Sequence, residues 1–144
     1  MKLGLDIDKI SRIISRKVDA AVIRTIDGNM TLPQAYVIDF ISKMSSYNDI
    51  FQKDLEKEFD LKRSSVSLML NNMEKNDLIK RVPVKEDARL RKIVLTEKAI
   101  ELSEKISNAI DLAEESLAEG ITPEEIEVFY SVLGKIRNNL EDKN

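Results

Sequence analysis

The sequence predicts a mainly α-helical fold with a small β-hairpin wing: a winged helix-turn-helix carried between N- and C-terminal helices that form a dimerisation region. Three observations predict it. Arg63 to Lys75 sets Val66, Met69, Leu70 and Met73 at i, i+3, i+4 and i+7, which is one face of a helix. Phe51 to Phe59 precedes it with helical spacing, separated only by Asp60-Leu61-Lys62. After it, Leu78 to Val82 and Arg91 to Leu95 alternate with period two on either side of Lys85-Glu86-Asp87-Ala88-Arg89, the pattern of a hairpin with a long charged tip.

The 144 residues fit one domain, 1–144, with dimerisation arms at about 1–30 and 100–144 and the winged unit at about 48–96. A 34% charged fraction beside 42% hydrophobic residues describes a soluble, helix-rich protein, and with 5% aromatics the core must be built from Ile, Leu and Val. The first residues include Asp6 and Asp8, and no stretch approaches the roughly 20 apolar residues of a membrane span. The expected location is the cytoplasm, with no membrane partner. Zero Cys excludes disulfides, thiolate nucleophiles and cysteine redox sensing, and zero His removes the commonest acid-base catalyst and transition-metal ligand. With no phosphate-cradling Gly-rich loop either, no enzyme activity, cofactor or metal is expected.

In chain order, Ile7, Ile10, Ile14, Val18, Ala21 and Val22 predict an amphipathic helix from Asp8 to about Thr25, followed by a Gly28-Asn29 turn. Thr31 and Gln34 form a capping box for a second helix, running to about Met44, with Ala35, Ile38, Phe40 and Ile41 inward. Residues 45–48 are a loop before the winged unit. Thr96 starts a long helix whose stripe, Ala99, Leu102, Ile106, Ala109, Ile110, Ala113 and Leu117, extends about 30 Å and ends at Gly120. Thr122, Pro123 and Glu125 supply the strongest helix start in the chain, and Ile126, Phe129, Tyr130, Leu133, Ile136 and Leu140 give that last helix its apolar face.

Function is read from surface chemistry. The predicted helix 63–75 turns Ser64, Ser65, Ser67, Leu68, Asn71, Asn72 and Lys75 away from its apolar face, together with Arg63 at its start: short hydrogen-bonding groups, one apolar side chain and cations suited to base edges and phosphates in a major groove. Lys85, Arg89 and Arg91, with Asp87 among them, extend the interface onto a basic hairpin. From Lys62 to Lys92, nine Lys and Arg stand against four Asp and Glu, a charge of +5, so the remainder, 14 against 22, carries −8. Such asymmetry orients a basic face toward double-stranded DNA. The competing reading is a winged-helix module that docks another protein, with its charges merely solvating the surface. The first and last helices have more apolar face than a small winged unit covers, and Ile7, Ile10, Ile14, Phe129, Leu133, Ile136 and Leu140 are the expected contacts of a homodimer.

Taken together, several residues resemble the MarR family of bacterial transcriptional regulators over nearly the whole chain: Leu32-Pro33-Gln34, Leu55, Ser65-Val66-Ser67, Glu74 to Ile79, Arg81, and Asp87-Ala88-Arg89 followed by Ile93-Val94-Leu95-Thr96. The wing signature of Asp-x-Arg, then a strand, then Leu-Thr is the most specific. The resemblance implies a two-fold dimer whose recognition helix enters the major groove of a pseudo-palindromic operator, with Arg89 entering the minor groove and Asp87 holding the wing. It also implies an amphipathic or aromatic effector that releases a repressor from DNA, for which Ile13, Tyr36, Phe40 and Met44 are the matching positions. Three departures stand out: Glu56 where a small residue is usual, Lys62 where a Ser cap is usual, and Asp60 and Asp77 in place of turn glycines.

Overall fold

The structure, a computed structural model, describes residues 1–28 and 30–141, and Asn29 of the expected Gly28-Asn29 turn lies outside them. The element order is α1 (Leu3–Ile23), α2 (Leu32–Met44), α3 (Gln52–Glu58), α4 (Arg63–Lys75), β1 (Ile79–Pro83), β2 (Arg91–Leu95), α5 (Glu97–Ala118) and α6 (Pro123–Glu141). The fold class is the expected one. One boundary is corrected by five residues: α1 begins at Leu3 rather than Asp8. Counting back from Ile7 and Ile10, Leu3 continues the apolar stripe, and Asp6 in the first turn complements the helix dipole.

The chain divides into two compact units, Met1–Ala113 and Glu114–Asn144. In the first, Val18 and Val22 of α1, Ala35, Val37, Ile38 and Ile41 of α2, Leu55 of α3, and Val66, Leu70 and Met73 of α4 form a continuous buried core with Ile79, Ile93, Ala99 and Ile106. Thr31 caps α2 as expected, accepting from the Gln34 amide while Gln34 Oε1 accepts from the Thr31 amide. Tyr36 of α2 donates its hydroxyl to Asp19 of α1. Burial, that hydrogen bond and the Asp19 charge together hold the Tyr36 phenol well above the ordinary tyrosine range. Lower on α2, Lys43 bridges Asp39 at 3.2 Å and Asp111 at 2.8 Å. Burial pulls the Lys43 ammonium down, but the hydrogen bonds and charges of Asp111 and Asp39 outweigh it and hold its pKa above the usual lysine value.

Antiparallel β1 and β2 pair from Ile79 with Leu95 to Pro83 with Arg91. A further bond that local periodicity does not reveal, from the Ile93 amide to the Ile50 carbonyl at 2.7 Å, ties the hairpin to the chain just before α3. At the hairpin's base the Thr96 hydroxyl donates to the Asp77 carbonyl at 2.7 Å and accepts from the Ala99 amide at 3.2 Å, and the Thr96 amide donates to the Leu78 carbonyl at 3.1 Å. Thr96 therefore caps α5 and closes the exit of α4 at once. Lys98 adds a bond to the Asn76 carbonyl at 3.2 Å.

In the second unit Gly120, at φ +80°, ends α5. The Thr122 amide donates to Glu125 at 2.9 Å and the Thr122 hydroxyl accepts from the Glu125 amide at 3.2 Å, the expected box before Pro123. No helix of the described residues is long and apolar enough to cross a membrane.

Two outcomes are expected. Thr96→Val leaves the Asp77 carbonyl and the Ala99 amide without their partner and lowers stability by about 2 kcal/mol in urea unfolding; a change within experimental error contradicts the junction. Tyr36 has a folded pKa above its unfolded one, so the stability it adds is present below about pH 10 and is lost as pH rises toward the folded value. Tyr36→Phe removes that alkaline fall in the urea midpoint, and an identical slope in both proteins contradicts the assignment.

Candidate nucleic-acid interface

α4 presents the face the sequence predicts. Arg63, Ser64, Ser65, Leu68, Asn71, Asn72 and Lys75 are exposed, and Ser67 is half-buried. Leu68 retains 68% of its surface although it sits one turn from the core residues of the same helix. Entry to the helix is unusual, since Lys62 occupies the N-cap and supplies no side-chain acceptor. The first amides of α4 and the Lys62 and Arg63 charges thus remain available to an anion such as a phosphate. Asp60 at φ 49° and Asp77 at φ 57° occupy left-handed turns before and after α4, where Asp is among the few tolerated non-glycine residues. In front of α3, the Asp54 carboxylate accepts from the Phe51 amide at 2.8 Å.

The wing tip is built on Asp87. Its Oδ1 accepts from the Arg89 amide at 2.9 Å and its carbonyl accepts from the Leu90 amide at 3.1 Å, while Val84 donates to the Leu90 carbonyl at 3.1 Å. Asp87 thus organises the loop through backbone amides and forms no ion pair with the Arg89 guanidinium, which among the described residues has no carboxylate within 4.0 Å. Arg89 is an exposed, uncompensated cation on a braced loop. Lys85 is exposed beside it, and Arg91 reaches across the hairpin to donate to the Arg81 carbonyl at 2.7 Å.

Between the start of α3, the start of α4 and the wing lies a cavity of about 500 Å³ whose lining includes Lys53, Arg63, Arg81, Arg89 and Arg91, with Glu56 the acid among them. Glu56 is half-buried and forms no ion pair with Arg63. Arg81 and Arg91 are engaged by Asn71 and the Arg81 carbonyl, which leaves Arg63 and Arg89 as the guanidiniums suited to phosphate oxygens. Arg81 is the site residue that surface-pattern reasoning passed over. Its sequence signal is weak because it alternates inward on the hairpin, and its partners come from α4.

The positions matched to an effector behave differently. Tyr36, Phe40 and Met44 pack against the core, Phe40 edge-on to Phe59 with centroids 5.9 Å apart, while Ile13 is exposed. None of them lines the basic cavity or a second cavity of about 640 Å³, which lies among Gln34, Asn76, Leu78, Lys98 and Leu102. Of the residues expected at a dimer contact, Ile7, Ile10, Phe129 and Leu140 are exposed and Ile14, Leu133 and Ile136 half-buried.

With this geometry in place, the likeness to known proteins is specific. The MarR family model matches residues 29–90, which contain the complete α2–α4 segment and the wing tip. Among solved structures the chain is similar to the transcription regulator MarR from Oenococcus oeni PSU-1, 26% identical over 94% of this chain and 98% of that one, with a TM-score of 0.79. It is similar to S. aureus MepR in its DNA complex, 25% identical over 93% of both chains, with a TM-score of 0.80. It shares the fold of the heme sensor PefR from Streptococcus agalactiae, 24% identical over 100% of this chain and 99% of that one, with a TM-score of 0.63. Residues 29–90 match the MarR family, and over nearly its whole length the chain is similar to these winged helix-turn-helix transcription regulators.

Proposed function

We propose that the protein is a cytoplasmic homodimeric repressor that binds a pseudo-palindromic operator, with α4 in the major groove and Arg89 in the adjacent minor groove. The observation that carries this reading is the uncompensated Arg89 guanidinium, held by the Asp87 turn beside the exposed polar face of α4. A narrow A·T-rich minor groove concentrates negative potential, and a guanidinium on a hairpin tip reaches it. The MepR–DNA complex of the same fold supports the nucleic-acid partner. The apolar residues left exposed on α1 and α6 support a second copy of the chain, since two recognition helices spaced by one DNA turn reward two-fold symmetry.

Release by a small molecule belongs to the same proposal, supported by the heme-sensing relative. The sequence has neither His nor Cys, two of the residue types that hold haem iron, which favours an effector other than haem. The 640 Å³ cavity is the better candidate site than the packed Tyr36, Phe40 and Met44, because it touches the α4 exit at Asn76 and Leu78 and the first turns of α5 at Lys98 and Leu102.

The test is binding of the purified protein to its own upstream DNA and to scrambled duplex, titrated in salt, with Arg89→Ala alongside. Wild type should bind selectively with a steep salt dependence, and Arg89→Ala should weaken binding at least about tenfold and reduce the salt slope by about one. Binding that ignores salt, or none to any duplex, contradicts the proposal and favours the protein-docking module.

A further inference from the structure

Arg81 of β1 is held on several sides. Its Nη2 donates to Asn71 Oδ1 at 2.6 Å and its backbone amide donates to Glu74 Oε2 at 3.3 Å. Its Nε is buried without a hydrogen-bond partner, 4.0 Å from that same Glu74 oxygen. Arg91 fixes the backbone from the other strand by donating to the Arg81 carbonyl at 2.7 Å. Asn71 and Glu74 lie three residues apart on α4, so one wing residue grips two neighbouring positions on that helix.

The grip has a chemical polarity. A guanidinium only donates, so the Asn71 atom facing Arg81 must be the oxygen, however the two ends of an amide are otherwise assigned. One of the oxygen's two lone pairs is thereby taken by Arg81, and the orientation of the amide is fixed with it. Nδ2 and its two hydrogens are left on the other side of an exposed side chain. An unconstrained Asn pairs with adenine in the major groove by accepting from N6 and donating to N7, which needs both ends of the amide. An Asn whose oxygen is fixed toward the wing meets a facing base through its donors. Guanine presents two adjacent acceptors there, N7 and O6, and no donor.

We infer that Arg81 is a specificity-determining residue: it pins Asn71 with its donors toward the groove, so that α4 selects guanine over adenine at the base Asn71 meets. Arg81 acts through Asn71 and is a positioning residue rather than a base contact. The inference rests on the DNA-binding reading above and deepens it to a base preference.

The test uses the full-length protein and a set of operator duplexes in which each half-site position carries each of the four bases in turn. Wild type, Arg81→Met and Asn71→Asp are compared, with the salt dependence of wild-type binding to random duplex measured alongside. Wild type should favour guanine over adenine by about tenfold at one position per half-site. Arg81→Met, which keeps a long apolar stem but cannot donate, should bring that ratio to one or invert it toward adenine. Asn71→Asp keeps an oxygen for Arg81 but turns an acceptor to the groove, so its preference should move to cytosine, whose N4 donates. Ratios within one variant cancel any uniform loss of affinity, so general weakening of the wing does not imitate the effect. A ratio unchanged in Arg81→Met, or a wild-type preference for adenine at the position that Asn71→Asp alters, overturns the inference. If random-duplex binding is steeply salt-dependent in that case, DNA binding stands while the role of Arg81 falls; if wild type binds no duplex, both fall.

Discussion

The junction at Thr96 is the constraint on which the other parts depend. One hydroxyl and one amide of Thr96 engage the carbonyls of Asp77 and Leu78, the same hydroxyl receives the Ala99 amide, and Lys98 takes the Asn76 carbonyl. The C-terminus of α4, the base of the wing and the N-terminus of α5 consequently share one set of hydrogen bonds. Carbonyls at and just beyond the C-cap of α4 are thus satisfied by the next element, and α4 cannot tilt independently of α5 without breaking several bonds.

Charge is distributed to suit that frame. The +5 segment from Lys62 to Lys92 is confined to α4, the wing and their connections, while the rest of the chain is acidic. Within the basic segment the carboxylates serve structural ends: Asp87 turns the tip and Glu74 meets the Arg81 backbone. Neither neutralises Arg89. A carboxylate that satisfies backbone amides organises a loop without cancelling the cation beside it, which keeps both rigidity and charge where a polyanion is to be met.

Local periodicity carried most of the fold. The bounds of α4 and the strand Arg91–Leu95 match the patterns of Val66, Leu70 and Met73 and of the alternating hairpin. Capping chemistry carried Thr31 and Thr122, since each box lies within four residues of sequence, whereas the start at Thr96 was carried by the apolar stripe that follows it. The contacts that were not legible join residues far apart in the chain. Ile93 to Ile50, Arg81 to Asn71 and Lys43 to Asp111 leave no local signature. The early start of α1 was hidden because Gly4 is a weak helix former and Leu5 falls off the stripe that Leu3 continues. The packing of the Phe40 ring on Phe59 is another contact between distant residues that no local pattern carries.

The central claim is that two copies of α4 and two Arg89 side chains meet DNA with two-fold symmetry, and footprinting on the operator at single-nucleotide resolution addresses it most directly. The account predicts two symmetric major-groove protections about 34 Å apart, one helical turn, flanked by minor-groove protections that vanish in Arg89→Ala. A single unsymmetric footprint, or minor-groove protection that persists without the Arg89 guanidinium, would contradict it.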